Sequence, residues 1–532
     1  MEAEVRQALD EIESRQLIAR IWARDHTVWK PEPQEIANRL GWLTVPVFSE
    51  QQTPTLLALA DHTRRRGIRD VVLLGMGGSS LAPEVLRLVL GSRRGWPRLH
   101  VLDSTVPGWV ERVAGSIDPQ RTLFVVSSKS GGTVEVVAFF RYFFDLAQHA
   151  VGARAGEHFL AITDPGTSLE RLAHQHDFWR ILLNPPDIGG RFSALSLFGL
   201  VPATLCGIDP RPLLAPVTPM ASACAPAAPA TQNPGAVLGA WLAAAHRCGR
   251  DKVTLLTSPR LAPFGLWAEQ LIAESTGKEG QGLLPVSLEP EAPTICYGSD
   301  RLFVGLRLHG DCNRSLDERC TAFQQDGHPV LRLEVPDVGS LGAEFYRWEF
   351  ATAVAGALIG IQPFDQPNVQ ESKDLTGALL RQAVADGRPP ELAAHGDLQS
   401  LLALARPGDY FALTAYLVDT PEIDRALQAL RLALLERFHL ATTLGYGPRY
   451  LHSTGQYHKG GPTTGLFLQL TAEWPRDLPV PGEGYSFATL AAAQAEGDLR
   501  ALAQRGRRVI RIPLGQDPAG HLERLEVTVR QA

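Results

Sequence analysis

The chain has 532 residues, 45% of them hydrophobic and 20% charged, with a formal net charge of −6. That length allows two to four domains, and the mildly acidic balance gives no electrostatic case for nucleic acid or an anionic membrane surface. No apolar run reaches the ~18 residues of a membrane span, and Met1–Asp10 lacks the apolar centre of a signal peptide, so a cytoplasmic protein acting on a small molecule is expected.

In chain order, residues 1–65 read as a helical segment around a loop at Lys30-Pro31-Glu32-Pro33. Residues 66–210 alternate strand and helix: apolar strands at 71–74, 100–103, 122–127 and 158–163, with helices starting near Pro83 and Thr133. Strands separated by helices predict a parallel, doubly wound sheet, whose ligands sit at the carboxyl ends of the strands. The Pro- and Ala-rich stretch 211–234 reads as a linker, with Asn233 and Pro234 opening a helix. A second α/β unit spans 235–390, with strands at 252–257, 302–308 and 330–335 and a helix over 263–275. Leu255-Leu256 and Leu261-Ala262-Pro263 faintly echo Leu73-Leu74 and Leu81-Ala82-Pro83, a hint of two related halves. Residues 391–532 read as a mixed α/β region with strands at 410–416, 465–470 and 509–513.

Four Gly- and Ser-rich segments carry the chemistry. Small residues admit an anion close to backbone N–H groups, and hydroxyls add donors. Gly75-Met76-Gly77-Gly78-Ser79-Ser80 begins like a dinucleotide fingerprint, with Asp103 ending the next strand, but has Ser80 where the third glycine belongs. A loop touching a sugar or phosphate fits equally well. Ser128-Lys129-Ser130-Gly131-Gly132-Thr133 lies between strand and helix and suits a dianionic phosphate; its alternative is an ordinary polar turn. It is not a P-loop, because G-x-x-x-x-G-K-[ST] is missing. Gly190-Arg191 offers a guanidinium to developing negative charge. Gln270 and Glu274, four apart, share one helix face, and Glu274 falls in the last turn, where the helix dipole raises a carboxyl pKa and favours a general base. Against this stands a plain solvated Glu.

The 51 basic residues include only six lysines. Lys129, Lys278 and Lys459 fall in small-residue segments, and Lys373 follows the turn Gln362-Pro363-Phe364-Asp365-Gln366-Pro367. The loop 450–462 holds His452, His458 and Lys459 between glycines, and histidine titrates near neutrality. The six cysteines form no C-x-x-C pair and no Cys/His set has metal-ligand spacing; reduced thiols, no metal and no cofactor are expected.

Together these segments resemble the glucose-6-phosphate isomerase family, built on two sugar-isomerase (flavodoxin-like) domains, and most of all the isomerase half of bacterial transaldolase/glucose-6-phosphate isomerase fusions. The resemblance covers nearly the whole chain. It implies that Gly78 and Ser79 touch the sugar, that Ser128, Lys129, Ser130 and Thr133 cradle the phosphate, and that Gly190 and Arg191 face the enediolate. It further implies that Gln270 contacts substrate, that Glu274 moves the proton between C2 and C1, and that Lys373 assists ring opening. The family's Leu-His-Ser-x-Gly-Gln segment is missing from 282–308 and occurs instead at Leu451–Gln456, which assigns ring opening to His452, with His458 the substitute. A homodimer with shared sites is implied as well. The rival readings are a non-catalytic phosphosugar-binding regulator and a nicotinamide enzyme using the first glycine loop.

Overall fold

A computed structural model describes residues 1–532, and its thirteen strands fall into three separate parallel sheets. The first contains β1 (Asp70–Gly75), β2 (Arg98–Leu102), β3 (Thr122–Ser127), β4 (Phe159–Thr163) and β5 (Arg180–Leu183), in the order β2-β1-β3-β4-β5. The second contains β6 (Lys252–Thr257), β7 (Leu284–Val286), β8 (Arg301–Leu308) and β9 (Val330–Val335), in the order β7-β6-β8-β9. The third contains β10 (Tyr410–Tyr416), β11 (Ala441–Tyr446), β12 (Gly465–Thr471) and β13 (Arg508–Pro513), in the order β11-β10-β12-β13. The fold is therefore α/β and doubly wound. Each sheet starts at an inner strand, steps outward once, then reverses past its starting point.

Burial follows this layout. β1, β3 and β10 are buried along their whole length, as parallel strands covered by helices on both faces must be, which is why they read as unbroken apolar runs. The edge strand β5 has no fully buried residue and opens with a charge at Arg180; the sequence reading passed over it. β7 is only three residues long and went unread for the same lack of pattern.

The α/β region expected from 391 onward is a third doubly wound unit with its own core, including Leu413, Leu427, Leu468 and Leu522. Its unread strand β11 carries three threonine or glycine residues. The stretch 211–234, read as a linker, needs correction. Pro210–Leu214 and Val217–Ala223 are helical, and Leu213, Leu214, Val217 and Ala221 join the main core. Proline at the first helical position of the former costs no hydrogen bond, so the prolines there start structure rather than break it. Asn233 caps the helix Pro234–Arg247 by accepting from the Ala236 N–H at 2.9 Å.

In the first sheet the chain leaves β1 and β3 in opposite directions, so the loops 76–80 and 128–133 face each other across a crevice at the carboxyl edge. The loop after β11 carries His452 into that crevice. No helix is long and apolar enough to cross a membrane.

Candidate functional site

The helix Val134–Val151 starts directly after the Ser/Gly loop, so its free N–H groups and positive dipole end face the crevice. Within the loop the hydroxyls of Ser128 and Thr133 lie 3.1 Å apart, and the Gly131 N–H donates to Ser128 Oγ at 3.1 Å. Gly131 has φ +73°, and a Cβ there would sit 2.6 Å from the Leu169 nitrogen, so the loop's shape depends on glycine. Ser130, Gly132 and Thr133 line a cavity of about 410 Å³ whose other walls include Lys373, His452 and Gln494. The cavity thus brings hydroxyls, a helix N-terminus and Lys373 together with the carboxylates of Glu135 and Asp374.

The glycines of the first loop serve contact rather than phosphate. A Cβ on Gly78 would lie 2.0 Å from the Gly190 carbonyl oxygen, and Gly77 (φ +54°) is pressed against the Gln270 amide and the His452 carbonyl. Loops 77–80 and 190–192 therefore interlock, and Ser79 is buried beside them.

Arg191 is buried and donates from Nε to Ser275 Oγ (2.8 Å) and from one terminal nitrogen to the carbonyls of Pro363 (2.7 Å) and Asp365 (2.8 Å). Its other terminal nitrogen stands 3.6 Å from Glu274 Oε2. Gln270 donates from Nε2 to Glu274 Oε2 at 3.2 Å and to the His452 carbonyl at 2.8 Å. His452 is the common member: its ring lines the cavity with Ser130 and Thr133, and its backbone is held by the amide that also holds Glu274. Glu274, Arg191 and Gln270 are buried and do not line the cavity directly.

Burial raises the Glu274 carboxyl above its ordinary range, opposed by the charges of Arg191, His452 and Lys278 and by the Gln270 hydrogen bond. The helix-end position proposed from sequence is real, since the helix runs Phe264–Thr276, but desolvation is the dominant cause. Gly277 follows because the Tyr457 backbone packs against it; a Cβ there would lie 2.3 Å from Tyr457 Cα.

Lys373 lies on the helix Val369–Asp386, exposed at the cavity wall. Lys278 is buried and donates to the Gln362 and Asp365 carbonyls at 2.7 Å each. Burial and then the Arg191 charge lower its pKa to about 8, against the upward pull of Asp365 and Glu274. Lys278 and Arg191 thus clamp the turn that precedes Lys373. Lys129 departs from expectation: its ammonium pairs with Asp164 and donates to the Pro186 carbonyl at 2.9 Å, so only its backbone remains in the cradle. Asp164, which follows β4, holds that charge. His458 departs too. It packs against Tyr410, Tyr450 and Phe467, both ring nitrogens lack partners, and burial drives its pKa far down, leaving it neutral and away from the cavity.

Sequence reasoning missed Glu135. It sits in the first helical turn after the phosphate loop and its Oε1 lies 2.8 Å from His452 Nε2. Burial would raise its pKa, but the charge and hydrogen bond of His452, with Lys373 nearby, hold it below the ordinary carboxylate range. An acid two residues beyond Thr133 was the available signal. Asp103 was read with the nicotinamide alternative in mind; instead Arg449 grips it bidentately at 2.8 and 2.9 Å. Asp103 is fully buried in that pair, so it presents no surface to a ribose, and the glycine loop it would serve packs against Gly190. No trio of metal-ligating side chains converges anywhere in the chain.

Comparison with known proteins gives a consistent picture. The family model for phosphoglucose isomerase matches residues 60–300. A glucose-6-phosphate isomerase of Rubrobacter xylanophilus is 31% identical over 408 residues, covering 66% of this chain and 89% of the relative. One of Carboxydothermus hydrogenoformans is 27% identical, covering 64% and 85%. Among solved structures, a hypothetical protein of Thermus thermophilus superposes with TM-score 0.61 at 25% identity, covering 71% of this chain and 97% of the other. The glucose-6-phosphate isomerase of Chlamydia trachomatis superposes with TM-score 0.59 at 19% identity, covering 71% and 86%.

Proposed function

The chain belongs to the glucose-6-phosphate isomerase family, and from that premise we propose that its cleft interconverts glucose 6-phosphate and fructose 6-phosphate with the residues assembled above. The observation that carries the assignment of roles is the junction at His452, where the anion seat meets a buried carboxylate poised as a base.

In this reading the phosphate rests on Ser128, Ser130, Thr133, the backbone of 129–132 and the helix terminus. Ring opening needs a proton given to the ring oxygen and one taken from the C1 hydroxyl. His452 and Lys373 supply these, both bordering the cavity. Glu135 accepts from His452 Nε2, which leaves Nδ1 as the ring nitrogen without a protein partner. Glu274, ionised, then takes the proton from C2 and returns it to C1 of the cis-enediol. Its raised pKa strengthens it as a base near neutrality. In this reading the terminal nitrogen of Arg191 that faces Glu274 stabilises the oxyanion, and Gln270, Gly78, Ser79 and Gly190 bound the sugar. Glu274 and Arg191 have side chains only 5% exposed, so the substrate's carbons reach them only when a neighbouring segment yields.

Curated relatives account for about two thirds of this chain. The third unit and the late position of His452 support a kinship with the isomerase half of transaldolase fusions. Every group named here comes from one chain, so we assign the histidine to act in cis, whether or not the protein forms the homodimer that the resemblance implies. The boundaries near 65, 210, 235 and 390 are retained as domain limits; the first precedes the first sheet and the others fall between sheets.

A coupled assay for fructose 6-phosphate formation tests the function. Wild type should turn over, and Glu274→Gln should lose roughly 10²–10⁴-fold in kcat. A fully active Glu274→Gln removes the assigned base. His452→Ala at wild-type rate on cyclic substrate removes the assigned ring opener.

A further inference from the structure

Glu135 Oε1 receives two N–H donors, from His452 Nε2 at 2.8 Å and from Gln494 Nε2 at 2.7 Å. Gln494 Oε1 in turn accepts from Thr105 Oγ1 at 2.6 Å. Thr105, Glu135 and Gln494 are all buried. Thr105 follows β2 and Glu135 opens the helix after β3, both in the first unit; Gln494 lies on the helix Phe487–Gln504 and His452 follows β11, both in the third. All three hydrogen bonds therefore cross the boundary between the first and third units.

We propose that Gln494, oriented by Thr105, is a positioning residue that fixes the His452–Glu135 pair for ring opening. The proposal rests on the isomerase reading above and extends it to residues that no motif marks. Glu135 as a carboxylate only accepts, so it selects the NH₂ side of the amide; the Thr105 hydroxyl then occupies the carbonyl side. A flipped amide would set two acceptors against each other. So held, Gln494 keeps the carboxylate ionised and fixed, the carboxylate keeps the proton on His452 Nε2, and Nδ1 is left as the basic nitrogen of a ring that cannot turn. Gln494 also borders the cavity, so it seals the buried side of the pair from water.

Glu135 is faced by His452 from the loop after β11, by Lys373 from the helix Val369–Asp386, by Tyr416 of β10 and by Tyr485 ahead of the helix Phe487–Gln504. His452 is also faced by Glu274. Removing the Gln494 donor deprives the carboxylate of a bond to its charged form, so its pKa should climb.

The test compares hexose 6-phosphate, which needs ring opening, with an aldotetrose 4-phosphate, whose ring-closing hydroxyl is blocked by the phosphate. Gln494→Leu should lower kcat on the hexose about tenfold, leave KM within about twofold, lower the tetrose rate far less than the hexose rate, and move the acid limb of the hexose pH profile upward. Thr105→Val, nearly isosteric, should shift both readouts in the same direction by less. Gln494→Glu should move the limb furthest, since two carboxylates cannot both stay ionised side by side. Equal losses on both substrates, or an unmoved pH limb, would overturn the positioning role. If Gln494→Leu does not fold, an unchanged hexose-to-tetrose ratio in Thr105→Val does so alone. A wild type that turns over neither sugar overturns the isomerase reading itself, a separate result.

Discussion

The first and third units share one winding and differ in what their carboxyl edges carry. Between β1 and β3 the crevice is lined by Gly77, Gly78 and the Ser128–Thr133 loop, small residues that let backbone and helix terminus meet an anion. Between β10 and β12 the corresponding crevice opens into a larger cavity of about 640 Å³, lined by Thr420, Glu422, Glu473, Trp474 and Asp517 among others. It has a helix start at Pro421 and another at Pro518, yet Thr420 and Asp517 already cap them, and the added carboxylates repel a phosphate. The topology offers a crevice in both units; the loops decide which one holds the anion. The third unit contributes instead through its outer strand, whose loop delivers His452 to its neighbour.

The largest effect expected from breaking this division of labour is at Arg449. Its guanidinium lies over the Trp109 ring at 5.3 Å and grips the fully buried Asp103, three residues before His452. Arg449→Leu leaves a buried carboxylate unpaired, which costs about 3–5 kcal/mol, read as a drop in chemical-denaturation midpoint. Adding Asp103→Leu should restore much of that stability, because an apolar pair of similar bulk often replaces an ion pair at little cost. Activity on cyclic substrate should stay low in the stable double variant. Recovery of both together would show that the clamp holds the fold and has no bearing on His452.

A sharper comparison sets Thr133 against Thr420, each the residue before a helix that leaves the carboxyl edge of its sheet. Thr133→Val removes a hydroxyl from the proposed phosphate seat and should raise KM for the sugar phosphate about tenfold, the worth of one hydrogen bond to a charged group. Thr420→Val removes a cap on the Ile423 N–H and should cost about 1 kcal/mol of stability with KM unmoved. Equal KM effects would mean that the third crevice also serves substrate.

What the sequence disclosed, and what it hid, follows the same physics. Buried parallel strands such as 122–127 and 252–257 announce themselves as apolar runs, and local motifs such as Ser128–Thr133 are legible because one loop contains all their parts. Glu135, Asp103, Arg449 and Gln494 were opaque because each acquires meaning only from a partner hundreds of residues away; Asp103 and Arg449 are 346 residues apart. Lys129 and His458 stood out by type and setting, but Asp164 claims the first and an aromatic cage the second, and neither competitor adjoins it in sequence. The third unit was undervalued because β11 carries threonine and glycine where a strand of the first sheet carries valine and leucine.

The smallest effect concerns how the third unit is seated on the second. Glu269, next to Gln270, lines a narrow cavity with Ser287, Arg431, Ser453 and Thr454. Burial raises its carboxyl to about 7, opposed by hydrogen bonds from Ser287 and the charge of Arg431. A carboxyl raised in the folded state binds its proton more tightly there than in the unfolded chain. Stability therefore falls as pH rises from the ordinary value near 4.5 through about 7. Glu269→Gln, neutral throughout, should match wild type near pH 4.5, where both side chains are uncharged, and should surpass it in Tm above pH 7. Scans of both proteins from pH 4.5 to 8 read the difference directly. Curves that stay parallel would mean that the Arg431 charge and the Ser287 hydrogen bonds keep the Glu269 carboxylate ionised throughout, and the seam between the second and third units would then be held by charge at every pH rather than by a proton.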